Sequence, residues 1–283
     1  MFSDKYILPL PFGIRQLVAS IIAKKRHPVS WEKYQLIGGT PIIKDTEATA
    51  AALREVLDMP VYTAYSYTPS FIRDVVLQMV KDGVSDFKTL TMYPQASNTT
   101  TASVYTDVKK ASRKFKGLHF KMICDYSDHP SFLNYWQMLI ESHIKARGLD
   151  NPLLLFTAHS IPIAGVKKGD KYPETIKQMA SNLAAMMKRR FDVAFQSRVG
   201  PVKWVGPDTD DHLEELVEKG ERSVVLVPIS FTTECLETTY DLNIKLVDIY
   251  KNDARLEHIS RVAIPQAHPL FIESLKQIIN EYK

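Results

Sequence analysis

The sequence predicts an α/β protein made of two similar doubly wound domains, each with a parallel sheet flanked by helices. Two observations carry this prediction. Short apolar runs of strand length alternate with segments that repeat apolar residues at helical spacing, which is the pattern of βαβ units. The run from Leu153 to Phe156 is apolar throughout, as expected of a strand buried on both faces of a parallel sheet.

The size and composition of the chain fit a globular protein of two domains. It has 283 residues, of which 45% are hydrophobic and 24% are charged. The net charge of +4 is too small to indicate nucleic-acid binding. We expect an N-terminal domain at residues 1–124, a C-terminal domain at residues 125–265 and the active-site cleft between them. A final helix at about residues 266–283 is a candidate to pack back onto the first domain.

The two cysteines, Cys124 and Cys235, are too few for a disulfide framework, a structural zinc site or an iron–sulfur cluster. We therefore expect two free thiols in a reducing compartment. The first residues lack the apolar core of a signal peptide, and no segment approaches the roughly 20 apolar residues of a membrane-spanning helix. The protein is expected to be cytoplasmic, with peripheral attachment to the inner face of a membrane as an open alternative.

The first domain begins with a predicted amphipathic helix. Apolar residues recur at helical spacing from Ile14 to Ile22, and basic residues 24–26 end the pattern. A helix with an apolar face and basic residues at its end suits the edge of a substrate cleft or an anionic membrane surface. The alternative is an ordinary solvated helix end, where basic residues complement the helix dipole. The remaining predicted elements of this domain are helix 45–57, strand 61–67, helix 69–83, strand 87–93, helix 101–115 and strand 119–125.

The second domain continues the alternation of helices and strands. Its predicted elements are helix 131–147, strand 153–158, helix 172–190, strand 193–196, helix 210–220, strand 223–229, helix 236–250, strand 258–264 and a last helix from His268. This many strands fit two sheets better than one.

Polar side chains follow three of the predicted strands, at the edge where open parallel sheets bind ligands. Residues 94–101 are rich in hydroxyl and amide groups, His159 follows a buried strand, and residues 230–241 contain three closely spaced acids. Each group also has a structural interpretation: helix capping by Ser and Thr, a hydrogen-bonding histidine, and acids that complement a helix dipole. Composition and spacing alone leave these alternatives open.

The same loops carry a resemblance to a known family. The matching stretches follow one another along the chain and are FSDKYILPLP, YQLIGGTP, MYPQASNTTTAS, LLFTAHSIP with GDKYPET, FQSRVGPVKWVGPDTD and LVPISFTTECLETTYDLNI. Together they resemble the ferrochelatases, enzymes that insert ferrous iron into a porphyrin to make haem. The combination of AHSIP with QSRVGPVKW is highly specific for that family.

The resemblance implies roles for individual residues. His159 corresponds to the active-site histidine and Glu237 to the acid that faces it across the cleft, and both are also candidate metal ligands. Asp241 corresponds to another acid, which would belong to a metal or proton relay. The residues implied to bind the porphyrin are Tyr93, Pro94, Gln95, Ser160 and Trp204, although Trp204 also fits a core position.

The chain departs from the family pattern in three respects. The pair Glu234–Cys235 stands where the family commonly has Asp-His, which puts a relay through that second histidine in question. A cysteine-rich C-terminal segment is absent, so we expect no iron–sulfur cluster and no permanently bound cofactor. The family's first strand and glycine-containing loop have no counterpart before Phe2. We therefore expect an N-terminally shortened chain of low stability or activity.

The reaction implied by the resemblance is insertion of ferrous iron into protoporphyrin IX to form protohaem, the last step of haem biosynthesis. The expected partners are porphyrin and ferrous iron, which is a substrate, and no nucleic acid. A histidine suits proton acceptance near neutral pH, and whether His159 accepts protons or delivers metal stays open. The alternatives are the same reaction on coproporphyrin III, which carries more carboxylates, and a two-domain solute-binding protein without catalysis.

Overall fold

The computed structural model describes residues 3–7, 11–198 and 202–282. Three helices come first, and from β1 onward strands are separated by helices, as predicted for an α/β protein. The elements are α1 (Phe12–Leu36), α2 (Ile42–Val56), α3 (Ile72–Lys81), β1 (Asp86–Leu90), α4 (Thr101–Ser112), β2 (His119–Ile123), α5 (Pro130–Ala146), β3 (Leu153–His159), α6 (Ile163–Val166), α7 (Tyr172–Met187), β4 (Phe191–Gln196), α8 (Thr209–Glu218), β5 (Ser223–Val227), a π-helix (Glu237–Val247), α9 (Asp248–Tyr250), β6 (His258–Arg261) and α10 (Pro269–Glu281).

The larger sheet has the strand order β4-β3-β5-β6, and every neighbouring pair is parallel. Strand β3 lies inside this sheet and is buried along residues 153–158. Leu154 and Phe156 belong to a core that includes α5, α7 and α10. Leu155 faces the opposite side and packs with α8 and the π-helix, because successive side chains of a strand point to opposite faces. Helices on both faces therefore explain the unbroken apolar run in the sequence.

The pairing of β3 with β4 decides what lies beside His159. Residue His159 is in register with Gln196, the last residue of β4. Parallel strands have their carboxyl ends at one edge of the sheet, so these two side chains emerge next to each other. The loop after β5 starts at the same edge, and this loop leads into the π-helix.

The smaller sheet contains β1 and β2, which are parallel, and no third strand joins them within residues 3–7, 11–198 and 202–282. The predicted strand 61–67 is wrong, since this segment makes only an isolated bridge between Tyr65 and Phe71. The Thr63 hydroxyl bonds instead to Glu47 of α2. High β-propensity alone does not make a strand where no neighbour supplies a ladder.

Two helices differ from their predicted form. Helix α1 does not end at basic residues 24–26 but continues through Pro28 to Leu36, although an interior proline disfavours a helix. Lysine and arginine are good helix formers, so a basic run does not by itself end a helix. The predicted α-helix 236–250 is a π-helix from Glu237 to Val247 followed by the short α9. A π-helix is rare and often marks a functional site.

Helix α10 joins the two sheets. It packs against α5 and α2, and Lys88 of β1 donates a hydrogen bond to the carbonyl oxygen of Ile279 at 2.7 Å. Ile123 of β2 and Phe271 of α10 belong to one hydrophobic cluster with the residues around β3. This shared core holds the two sheets together, while the domain boundaries at residue 124 and residue 265 stay a prediction.

Candidate active site

His159 ends the central strand and is partly exposed, whereas the strand before it is buried. Its main-chain N–H donates to the Ser230 hydroxyl at 3.3 Å, and its ring Nδ1 lies 2.7 Å from the carbonyl oxygen of Ser160. A carbonyl oxygen only accepts hydrogen bonds, so in the neutral ring the proton is on Nδ1. This arrangement leaves the lone pair of Nε2 free to accept a proton or to bind a metal.

Gln196 connects the histidine strand to the acidic helix. Its carbonyl oxygen accepts a hydrogen bond from the Ser160 N–H at 2.8 Å, and its side-chain Nε2 donates to the carbonyl oxygen of Glu237 at 3.2 Å. The side chain is 3% exposed, and its Oε1 has no hydrogen-bond partner. Sequence reasoning missed Gln196, because the predicted strand 193–196 ends on this residue but its place beside the strand of His159 is given only by the register of the folded sheet.

Glu237 is the first residue of the π-helix, and two tyrosines lie near its carboxylate. Burial raises the pKa of Tyr93, and the charge of Glu237 raises it further. The pKa of Tyr34 at the end of α1 is raised for the same two reasons. Tyr93 is also 43% exposed, so part of the residue contacts solvent. The structure thus places Glu237 beside surfaces from both α1 and the loop after β1.

Asp241 lies one turn further along the same helix and has two partners. The Ser197 hydroxyl donates to its Oδ2 at 2.9 Å, and the ammonium nitrogen of Lys33 is 3.5 Å from its Oδ1. Ser197 follows Gln196 directly and has a positive φ of 67°, which turns the chain sharply after β4. Residues Gln196 and Ser197 therefore contact two successive turns of the acidic helix.

Glu234 serves a structural purpose. Its Oε1 accepts hydrogen bonds from the guanidinium of Arg261 at 2.9 Å and from the N–H of Ile264 at 2.9 Å, and its Oε2 accepts from the Thr238 hydroxyl. The Arg261 side chain is 5% exposed, so its end of the ion pair is buried away from water. With these partners Glu234 ties the start of the π-helix to the end of β6.

The residues predicted to bind the porphyrin fall into two groups. Tyr93 and Trp204 are at least partly exposed, and Trp204 pairs with Pro162 in the loop after His159. The others are buried: Ser160 donates to the carbonyl oxygen of Val205 at 2.7 Å, Gln95 donates to that of Ile229 at 3.1 Å, and Pro94 lies beside Gln95. The side chains of Gln95 and Ser160 therefore join loops to one another, which composition could not reveal.

The described residues contain no preformed cluster of metal ligands at the candidate site or elsewhere. No group of three or more His, Cys, Asp or Glu side chains in residues 3–7, 11–198 and 202–282 is arranged to hold a metal ion. Two cavities of about 290 and 320 Å³ lie elsewhere, the first lined by His129 and Glu281 and the second by Arg73 and Lys110.

Both cysteines are unpaired, which confirms the predicted free thiols. Burial raises the pKa of Cys235, and Glu237 raises it further, so this residue is a neutral thiol at physiological pH. Among the helices of the described ranges, none is long and apolar enough to cross a bilayer.

Comparison with known proteins identifies the family. The ferrochelatase family model matches residues 1–283. The ferrochelatase of Aquifex aeolicus (strain VF5) is 31% identical over 99% of this chain and 91% of its own length. That of Gloeothece citriformis (strain PCC 7424) is 32% identical over 99% of this chain and 76% of its own length.

Solved structures share the fold. SirB from Bacillus subtilis with Fe3+ superposes with a TM-score of 0.60 at 11% identity, covering 83% of this chain and 89% of that chain. CbiX, the terminal enzyme for biosynthesis of siroheme in denitrifying bacteria, gives a TM-score of 0.54 at 16% identity, covering 84% and 94%. These likenesses show the fold alone, whereas the family model and the sequence relatives together show that the chain belongs to the ferrochelatases, which insert metal into porphyrins.

Proposed function

We propose that this protein inserts ferrous iron into protoporphyrin IX to form protohaem, with His159 and Glu237 as its catalytic residues. Two contacts carry the assignment of these residues. The imidazole Nε2 of His159 is left free by the Nδ1 contact to Ser160, and Gln196 ties the adjacent strand end to Glu237. A base and an acid are thereby supported on rigid elements at one edge of the sheet.

Metal insertion requires the loss of two pyrrole protons and the exchange of the water around the metal for four nitrogen donors. Pyrrole N–H groups are too weakly acidic for a neutral imidazole to ionise them unaided. Bending of the macrocycle exposes the nitrogen lone pairs, and a metal that binds from one face acidifies the remaining N–H groups. The lone pair on Nε2 of His159 can then accept a pyrrole proton.

The donor set fits ferrous iron as a transient substrate. Imidazole and carboxylate groups both bind this metal, and His159, Glu237 and Asp241 supply them. Glu237 and Asp241 are four residues apart on the π-helix, so they form a short acidic path toward the edge where His159 emerges. An open path of this kind suits an ion that must be passed on.

The porphyrin is a flat apolar ring with anionic propionates, and it suits a cleft with apolar walls. Tyr93 and Trp204 are the proposed wall residues, because both keep exposed ring surface near the site. Pro94, Gln95 and Ser160 are proposed to belong to the loops that contact the substrate. Their buried side chains fix those loops.

An anaerobic insertion assay tests this function. Purified protein is mixed with ferrous or zinc ion and either protoporphyrin IX or coproporphyrin III, and the absorbance change is followed. We expect insertion without added cofactor and faster turnover with protoporphyrin. Faster turnover with coproporphyrin would assign that substrate instead, and porphyrin binding without insertion by either metal would support a non-catalytic binding protein.

We also propose that α1 rests on an anionic membrane surface. Its side chains Ile14, Leu17 and Ile21 share one face and are 56%, 65% and 47% exposed, and the exposed Lys24 and Lys25 follow on the next turn. Apolar and basic groups together on one helix face favour binding at the interface of an anionic bilayer.

Vesicle sedimentation tests this contact. We expect the protein to bind vesicles that contain phosphatidylglycerol and to release them at high salt, with little binding to pure phosphatidylcholine. Leu17→Gln should weaken the binding, whereas Leu77→Gln on α3 should not, although Leu77 is also exposed, at 41%. Equal binding by the two variants would argue against α1 as the contact.

A further inference from the structure

The last turn of α1 lies on the acidic face of the π-helix. Lys33 places its ammonium nitrogen 3.5 Å from Asp241 Oδ1 and 4.4 Å from the ring centroid of Tyr240. The next residue, Tyr34, is close enough to Glu237 for the carboxylate charge to act on its hydroxyl. Ala19 is the one buried residue along the 25 residues of α1, so most of this helix is at least partly exposed.

We propose that Lys33 is an internal competitor for the metal: its ammonium group occupies Asp241 until a divalent cation displaces it. This inference rests on the proposed function, because it takes Asp241 as part of the metal path. It adds a residue from outside the acidic helix that sets the metal affinity of that path.

The two oxygens of Asp241 have different partners, and this difference makes exchange feasible. Oδ2 is held by the neutral hydroxyl of Ser197, which keeps the carboxylate oriented whether or not Lys33 is present. Oδ1 lies against the ammonium group of Lys33. Departure of Lys33 therefore frees one correctly oriented oxygen, which a hard or borderline dication can bind.

Lys33 has the properties of a displaceable partner. Its side chain is 31% exposed and that of Asp241 is 21% exposed, so the ion pair is partly solvated, and such pairs are weak. A lysine ammonium sits on a flexible stem and can swing into water. While it stays near Asp241, its charge also repels an approaching dication, which adds to the competition for the oxygen.

The alternative is that Lys33 only fastens α1 to the π-helix. A tether would affect stability or the position of α1 without changing metal affinity in a defined direction. Competition predicts that loss of the lysine charge tightens metal binding. The two roles therefore predict different results for the same variant.

Zinc binding to the porphyrin-free protein, measured by calorimetry, distinguishes these roles. We expect Lys33→Met to bind zinc roughly two- to tenfold more tightly than the unaltered protein, the range that follows from loss of a weak ion pair and of one nearby positive charge. Lys33→Arg keeps the charge and should stay near the unaltered affinity. Lys81→Met is the matched control, because Lys81 is exposed at the end of α3, before β1 begins, and should change nothing.

A second variant separates failure of this inference from failure of the proposed function. Asp241→Asn should weaken zinc binding and remove the effect of Lys33→Met in the double variant. Unchanged or weaker zinc binding in Lys33→Met, with Asp241→Asn still weakened, overturns the competition alone. Unchanged zinc binding in Asp241→Asn overturns both the competition and the assignment of Asp241 to the metal path. The proposed function is tested separately, by the metal-insertion activity of the unaltered protein.

Discussion

The side-chain amide of Gln196 donates a hydrogen bond to the main-chain carbonyl of Glu237 at 3.2 Å. Gln196 is also the register partner of His159 across the β3–β4 pair. The buried side chain of Gln196 thus links β4, which is paired with the strand that carries His159, to the helix that carries Glu237. We predict a positioning role for Gln196, because its described bonds join the loop after His159 to the start of the π-helix.

Replacement of Gln196 by Met should lower kcat several-fold and leave the KM for porphyrin nearly unchanged. Methionine has a similar length but no donor, so Glu237 loses its tether, at a cost in unfolding free energy of about 1 kcal/mol. Steady-state kinetics and urea denaturation measure the two effects. Gln178→Met on the exposed face of α7 serves as the control, and a stability loss with an unchanged kcat would mean that the bond is only structural.

Glu237→Gln should remove most of the insertion activity, since the amide cannot accept a proton or attract a metal as a carboxylate does. If Glu237 acted only through the helix dipole, the variant would lose roughly 0.3 to 1 kcal/mol of stability and keep its rate. The insertion assay and thermal unfolding together decide between these outcomes. Glu218→Gln at the end of α8 controls for the loss of one negative charge.

Acidification should destabilise the protein through His143. This ring is 8% exposed and bonds to the Ser260 hydroxyl at 2.8 Å. Burial, followed by the charges of Arg147, His258 and Arg261, lowers the pKa of His143 from 6.5 to about 4. Between those pH values the unfolded chain binds the proton and the folded protein does not, so stability falls as the pH drops from 6.5 toward 4.

The expected loss across this window is on the order of 1 to 3 kcal/mol after allowance for solvent screening. Urea midpoints measured from pH 7 to pH 5 should decline, and His143→Gln should flatten the decline. The comparison between the two proteins removes the contribution of carboxylates, which titrate in both. Identical pH dependence in the variant would show that His143 does not set acid stability.

Local patterns in the sequence predicted part of this structure correctly. Strand β3 and the position of His159 at its end were predictable, because an unbroken apolar run specifies burial on both faces. The strand at 61–67 was predicted wrongly, because β-propensity does not supply a neighbouring strand. The π-helix from Glu237 was not predicted, since its wider turn gives no distinct periodicity over so short a segment.

Contacts between residues far apart in the chain could not be predicted from the sequence. Gln196 gains its role from strand register, and Lys33 reaches Asp241 only because α1 continues past Pro28. The buried bonds of Gln95 and Ser160 likewise depend on loops from separate parts of the chain. Each of these contacts is set by tertiary packing, which residue spacing does not encode.

Insertion by His159→Ala, measured anaerobically with ferrous or zinc ion and protoporphyrin IX, tests directly whether His159 is catalytic. His159 stands at a partly exposed strand end, so the variant should keep its fold by circular dichroism and its porphyrin binding by fluorescence. We predict that insertion falls by roughly 100-fold or more. A correctly folded variant that inserts metal at a rate near that of the unaltered protein would contradict it.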